Sequence, residues 1–240
     1  MEFVKSIEKL SDQLRKSKLV FLLPVFSGLL LVLSSPPFNV PFLLFFSFLP
    51  LLIFLSYKCR SLKQSFLGGF IAGFIFFGQV LSWFFDVSTP SLVDIKSGVL
   101  SSFFVFLLWL VYTVISAFFV GLFSLGYRCL KNGSSWNVLL VPSLWVFFEY
   151  LRIWVSWIFT AGTESLSGPH WTLGNLGYSL AQNIGFRSLA GIGGMYFVSF
   201  LVIFINALFF FLVKSLLASK RKVKAWCSFA ILLILVLTVV

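Results

Sequence analysis

Two ionisable side chains, Glu149 and Arg152, lie inside an apolar stretch of this chain. Residues three apart share one face of a helix, so these two side chains can interact. If this apolar stretch crosses a bilayer, burying ionisable groups within it costs free energy, and such groups usually face the protein interior or a polar cavity. Two interpretations stay open: a structural ion pair that fixes how the helices pack, or a role at a groove facing lipid or substrate.

Most other polar side chains outside the charged loops lie between Thr160 and Gly194. His170 is the only histidine, so a histidine-rich metal site is excluded, and we expect no metal or cofactor. A Ser-His-acid triad at His170 would need Glu164 and either Ser167 or Ser179, and nothing in the spacing demands it. Trp171, next to His170, fits a role at a functional site and fits equally well an aromatic belt at the membrane interface. The same is true of Tyr178.

None of the three cysteines, Cys59, Cys129 and Cys227, has a histidine or carboxylate nearby in the sequence. A nucleophilic cysteine needs a base or a positive field that lowers its pKa. We therefore interpret the three thiols as structural and expect no catalytic residue in this chain.

The composition indicates a membrane protein. Hydrophobic residues make up 60% of the chain and charged residues only 10%, which leaves too little polar surface for a water-soluble domain. The net charge of +11 does not indicate nucleic-acid binding, because the basic residues sit between apolar runs.

Apolar runs predict an all-α, polytopic bundle of about seven transmembrane helices, since a helix of roughly 20 apolar residues crosses the hydrocarbon core. A cytoplasmic amphipathic segment, residues 1–18, precedes them, with Phe3, Ile7, Leu10 and Leu14 at helical spacing. The transmembrane domain covers residues 19–240. Its predicted spans lie near residues 19–35, 40–57, 65–85, 99–125, 138–159, 195–213 and 225–240.

The distribution of Lys and Arg over alternate loops predicts the orientation. One side collects fifteen of them, whereas the other has only Lys96 and Arg187, and Arg152 lies inside a span. The richer side includes the N-terminus, so we predict that the N-terminus is cytoplasmic.

The second half of the chain contains an ordered set of residues: Pro142, Trp145, Glu149, Leu151 and Arg152, then Trp171 with Leu176-Gly177-Tyr178-Ser179, then Ala190-Gly191-Ile192-Gly193-Gly194, Tyr196, Ser199 and Phe200. This set resembles the apolipoprotein N-acyltransferase family. The resemblance extends over essentially the whole chain and is most specific between Pro142 and Phe200.

The resemblance implies a multi-pass protein of the bacterial inner membrane. Its family transfers an acyl chain from a phospholipid to the N-terminal Cys of a diacylglyceryl apolipoprotein. A nitrilase-like domain with a Glu-Lys-Cys triad follows the seventh span in that family, and it would here have to be encoded separately. The resemblance thus implies a truncated or split product that is inactive alone.

By the same resemblance, six residues are candidates for a lipid or substrate groove: Trp145, Glu149, Arg152, His170, Trp171 and Tyr178. The alternative is a membrane protein that is not an enzyme, either a transporter or a lipid-binding scaffold. Few polar residues occur in the spans, and no inverted repeat is visible, which speaks against a transporter.

Overall fold

A computed structural model describes residues 21–86, 98–130, 136–160 and 172–217, together with Ile231. These residues form helices and turns, and the described part of the chain contains no strand, which confirms the all-α prediction. Residues 1–18 and, apart from Ile231, the predicted span at 225–240 lie outside it. Six helices follow one another: α1 (Leu23–Ser34), α2 (Pro41–Lys58), α3 (Leu62–Val80), α4 (Gly98–Cys129), α5 (Asn137–Thr160) and α6 (Ile184–Leu217).

Four of these helices are long and apolar enough to cross a membrane, namely α2, α4, the part of α5 up to Val155, and α6 up to Lys214. Helix α1 has only 12 residues and ends just before Pro36 and Pro37, because a proline supplies no backbone N–H and disfavours helix in the residue before it. Helix α3 has 19 residues but carries Lys63, Gln64 and Gln79. The number of seven spans therefore stays a prediction.

Helix α2 is not the continuous span that the sequence predicts at residues 40–57. It consists of a 3-10 turn (Pro41–Phe45), a short α-helix (Leu49–Ile53) and a π turn (Phe54–Lys58). The fully buried Asn206 of α6 binds the backbone at the first interruption. Its Oδ1 accepts from Phe48 N at 3.0 Å, and its Nδ2 donates to Leu44 O at 2.9 Å. A side chain from another helix thus supplies the hydrogen bonds that the interrupted helix lacks.

Helix α1 packs against both α2 and α3. From α3 onward each helix packs against the next, and α6 also contacts α2. At the centre of the bundle, the Trp145 ring packs edge-on against Phe48 and Phe123, with centroid distances of 4.7 and 5.2 Å. These rings join α2, α4 and α5 directly beside the charged residues of α5.

Helices α3 and α4 approach each other closely along Gly69 and Gly73. A Cβ atom at Gly69 would overlap the Val120 carbonyl oxygen and the Ser124 hydroxyl, and one at Gly73 would lie 2.8 Å from Val120 Cγ2. Small residues four positions apart allow two helices to approach this closely.

We expect Gly69→Ala to lower the free energy of unfolding by about 1–3 kcal/mol, because the α4 backbone cannot move aside locally. Gly78→Ala on the same helix is the matched control, since its Cβ would meet Trp109 Cζ2 at an ordinary 3.4 Å. Denaturant titration in mixed micelles measures both variants. If Gly69→Ala loses no more free energy of unfolding than the control, the α3–α4 contact has room for a methyl group.

Candidate functional site

Glu149 and Arg152 are both 4% exposed and lie on the face of α5 that packs inside the bundle. Helix α5 is apolar around them, so other groups of the protein have to compensate for the buried charges. Opposite charges that are buried close together attract each other strongly in such surroundings, and each offsets part of the cost of burying the other.

Both side chains bind the segment that leads into the 3-10 turn Leu176–Leu180. Glu149 Oε1 accepts a hydrogen bond from Leu176 N at 2.9 Å, and Arg152 Nη2 donates to Asn175 Oδ1 at 2.6 Å. On α6, Ser199 Oγ accepts from Gly177 N at 3.2 Å. Three side chains from two apolar helices therefore hold residues 175–177, which we call the 175–177 anchor.

The local sequence explains why this segment can enter the bundle. Gly174 has a φ of 77°, a left-handed conformation that favours glycine, and it turns the chain toward α3. A Cβ atom there would overlap the Phe77 ring, whose centroid lies 4.8 Å from Arg152 Cζ. Asn175 and Leu176 are at most 1% exposed. A buried stretch of irregular backbone is thus satisfied by polar side chains, as lipid surroundings demand.

A pocket lies on the other side of the two charges, between α3, α4 and α5. Its free volume is about 10 Å³, roughly the space that one water molecule needs. Its lining is mostly aromatic and aliphatic and includes Phe77, Ser116, Phe119, Val120, Trp145, Phe148, Glu149 and Arg152. Within the described residues, Glu149 Oε2 and Trp145 Nε1 are buried without a hydrogen bond of ordinary geometry, although the Trp145 and Ser199 side chains lie close enough to the carboxylate to interact with it.

Of the six residues predicted at a groove, the structure brings three together. Trp145, Glu149 and Arg152 line the same pocket. Tyr178 lies in the 3-10 turn that follows Leu176, but it is 42% exposed and its hydroxyl bonds to that of Thr172. His170 and Trp171 lie outside the described residues, so the triad and belt interpretations for them stay predictions.

Sequence reasoning assigned no site role to Asn175 or Ser199. Asn175 follows a glycine in a predicted loop and resembles an ordinary turn residue. Ser199 is one of two polar residues, with Asn206, in the apolar run predicted at 195–213. Polar residues inside a span mark interior contacts, so this signal was available for Ser199 and Asn206. Asn175, in its predicted loop, carried no such signal.

We expect Ser199→Ala to destabilise the fold by about 1–3 kcal/mol, because it leaves the buried Gly177 N–H without an acceptor. The control is Ser143→Ala on α5, whose exposed hydroxyl bonds only to Leu139 O within its own helix. Thermal unfolding in detergent compares the two variants. A Ser199→Ala protein as stable as the control would show that the anchor does not need this hydroxyl.

Comparisons with known proteins show the family of the chain. Residues 27–208 match the profile of the family described as the apolipoprotein N-acyltransferase N-terminal domain. Over 228 residues, the chain is 27% identical to the apolipoprotein N-acyltransferase of Geobacter metallireducens. That match spans 92% of this chain and 38% of the relative, so the chain covers well under half of the relative's length. With about three quarters of its residues inside the family profile, the chain belongs to the apolipoprotein N-acyltransferase N-terminal domain family.

Proposed function

We propose that this chain is the multi-pass, inner-membrane domain of an apolipoprotein N-acyltransferase-like protein. In the proposed reaction, an acyl chain passes from a phospholipid to the N-terminal Cys of a diacylglyceryl apolipoprotein. The chemistry would belong to a nitrilase-like domain with a Glu-Lys-Cys triad, supplied separately, and this chain would hold and orient lipid substrates for it.

The observation that carries the proposal is the position of Glu149 and Arg152 between a pocket and the 175–177 anchor. Aromatic and aliphatic side chains line the pocket beside Glu149 and Arg152, and an acyl chain would enter it only where these side chains move apart. The anchor connects the same two charges to the turn that carries the half-exposed Tyr178. In this proposal, the polar part of a lipid at the pocket would bind Glu149 and Arg152, the same two side chains that hold the 175–177 anchor.

A reconstitution experiment tests the proposal. The full chain is placed in liposomes of defined phospholipids, with and without the portion of the Geobacter relative that this chain does not cover. The substrate is an S-diacylglyceryl-Cys peptide, and mass spectrometry detects an added acyl chain on its amino group. We expect acylation only when both polypeptides are present.

Two variants make the experiment specific to this chain. Glu149→Gln removes the charge at the pocket, and we expect it to slow acylation at least tenfold. Phe147→Leu is the matched control on the same helix, because Phe147 is 53% exposed and lies outside the pocket lining. The proposal fails if the peptide is not acylated with or without the added domain, although that domain is folded. A lipid-binding scaffold or a transporter then becomes the better interpretation.

A further inference from the structure

Helix α6 is too long for a single crossing and changes direction at one residue. Its 34 residues would extend about 51 Å at 1.5 Å per residue, whereas the hydrocarbon core is about 30 Å thick. Gly194 breaks the helix with a φ of 72° and a ψ of −178°, a conformation essentially reserved for glycine. From there to Lys214 the helix has the roughly 30 Å that one crossing requires.

The residues before this break, 184–193, form a helix with its own beginning. Asn183 Oδ1 accepts hydrogen bonds from Gly185 N at 2.9 Å and Phe186 N at 3.2 Å, which is the arrangement of an N-cap. The cap and the glycine break separate this stretch from the rest of α6. Since residues 195–214 already fill the hydrocarbon thickness, residues 184–193 lie at its boundary.

This short helix has two distinct faces. One face packs inward through Phe186, whose ring centroid lies 5.8 Å from that of Phe45, and through Leu189 and Ala190. The other face is exposed at residues spaced three and four apart: Ile184, Arg187, Ser188, Gly191 and Ile192. Ile184 is 74% exposed and Ile192 81%, which is unusually high for such large apolar side chains.

We propose that residues 184–193 form an interfacial helix that lies on the membrane surface opposite Lys214. Ile184 and Ile192 insert among the acyl chains, and Arg187 between them reaches the lipid phosphates. The pattern fits a lipid surface because apolar and basic side chains share one face of a short helix at the hydrocarbon boundary. A protein partner would bury Arg187 as well and would need an acidic group to match it.

The test measures the immersion depth of single nitroxide labels in the full chain, reconstituted in liposomes that contain anionic lipid. Labels are attached at Ile184→Cys and Ile192→Cys, in a background where the three native cysteines are serine. Collision rates with oxygen, which concentrates in lipid, are compared with those of a water-soluble nickel chelate. Phe106→Cys on the exposed side of α4 is the lipid reference, and Asn39→Cys in an exposed turn is the water reference.

We expect both isoleucine positions to collide more often with oxygen than with nickel, at a depth shallower than that of the Phe106 label. Predominant nickel collisions would place the helix in water and overturn the proposal. Low collision rates with both reagents would mean that a protein surface covers this face, either another segment of the chain or a second copy, and would overturn it as well.

Discussion

Replacing Arg152 with methionine is expected to lower the free energy of unfolding by about 3–5 kcal/mol, because a buried carboxylate then loses its compensating charge. Methionine is also unbranched but ends at about the position of the arginine Nε, so the guanidinium contact with the Phe77 ring is lost as well. Asn175 Oδ1 would also lose the donor that now lies 2.6 Å away. Denaturant titration in mixed micelles, followed by tryptophan fluorescence, measures the loss.

A second substitution separates the charge effect from simple loss of packing. Glu149→Gln in the Arg152→Met background removes the uncompensated charge, so the double variant should be more stable than Arg152→Met alone. Arg187→Met is the matched control at an exposed arginine, with an expected change within about 0.5 kcal/mol. If the double variant loses the sum of the two single losses, the two charges do not depend on each other.

Helices α4 and α5 could be predicted from the sequence to within a few residues, whereas α6 begins at Ile184, well before the run predicted at 195–213. Helices α4 and α5 follow apolar runs bounded by polar or glycine-containing stretches, and their observed ends lie close to the predicted spans at 99–125 and 138–159. The interruption of α2 could not be predicted this way. It depends on Asn206, which is more than 150 positions further along the chain and reaches the α2 backbone only in the folded bundle.

The candidate site was predictable in part for a related reason. Glu149 and Arg152 are conspicuous because ionisable residues are rare inside apolar runs. Their partners are backbone and amide groups at residues 175–177, and that contact requires the segment to turn inward at Gly174. The sequence does not show how deeply a loop enters a bundle. It therefore left open whether the charges pair structurally or face a groove, and both interpretations stay predictions. The structure shows that the two side chains hold residues 175 and 176 and also line the pocket.

The 175–177 anchor joins the pocket residues to one end of the bundle. A charged pair that only joined α5 to its neighbours would not need to hold the backbone of an irregular segment. Here the three contacts fix residues 175–177, and the turn they enter carries Ser179, whose hydroxyl lies 2.8 Å from that of Ser35. The 175–177 anchor thus lies between the pocket residues and the end of the bundle at which α1 finishes.

Gly174→Ala should be among the most damaging single methyl additions in the described part of the chain. A left-handed φ costs a residue with a Cβ atom about 1–2 kcal/mol. The overlap with the Phe77 ring adds about 1–3 kcal/mol, as overpacking does in well-packed cores. Both effects act next to the 175–177 anchor, so the Leu176 and Gly177 amides should also exchange hydrogen for deuterium faster. Unfolding titrations and exchange followed by mass spectrometry measure the two effects.

Two further variants separate backbone strain from overlap. Gly191→Ala introduces the same methyl group at a helical glycine with no atom within 4 Å, so it should leave stability nearly unchanged. In a Phe77→Leu background, the cost of Gly174→Ala should fall toward the 1–2 kcal/mol of strain alone, because the ring is gone. A cost that stays the same in that background would mean that Phe77 already moves aside. The inward turn at Gly174 would then depend on its φ and not on close packing against α3.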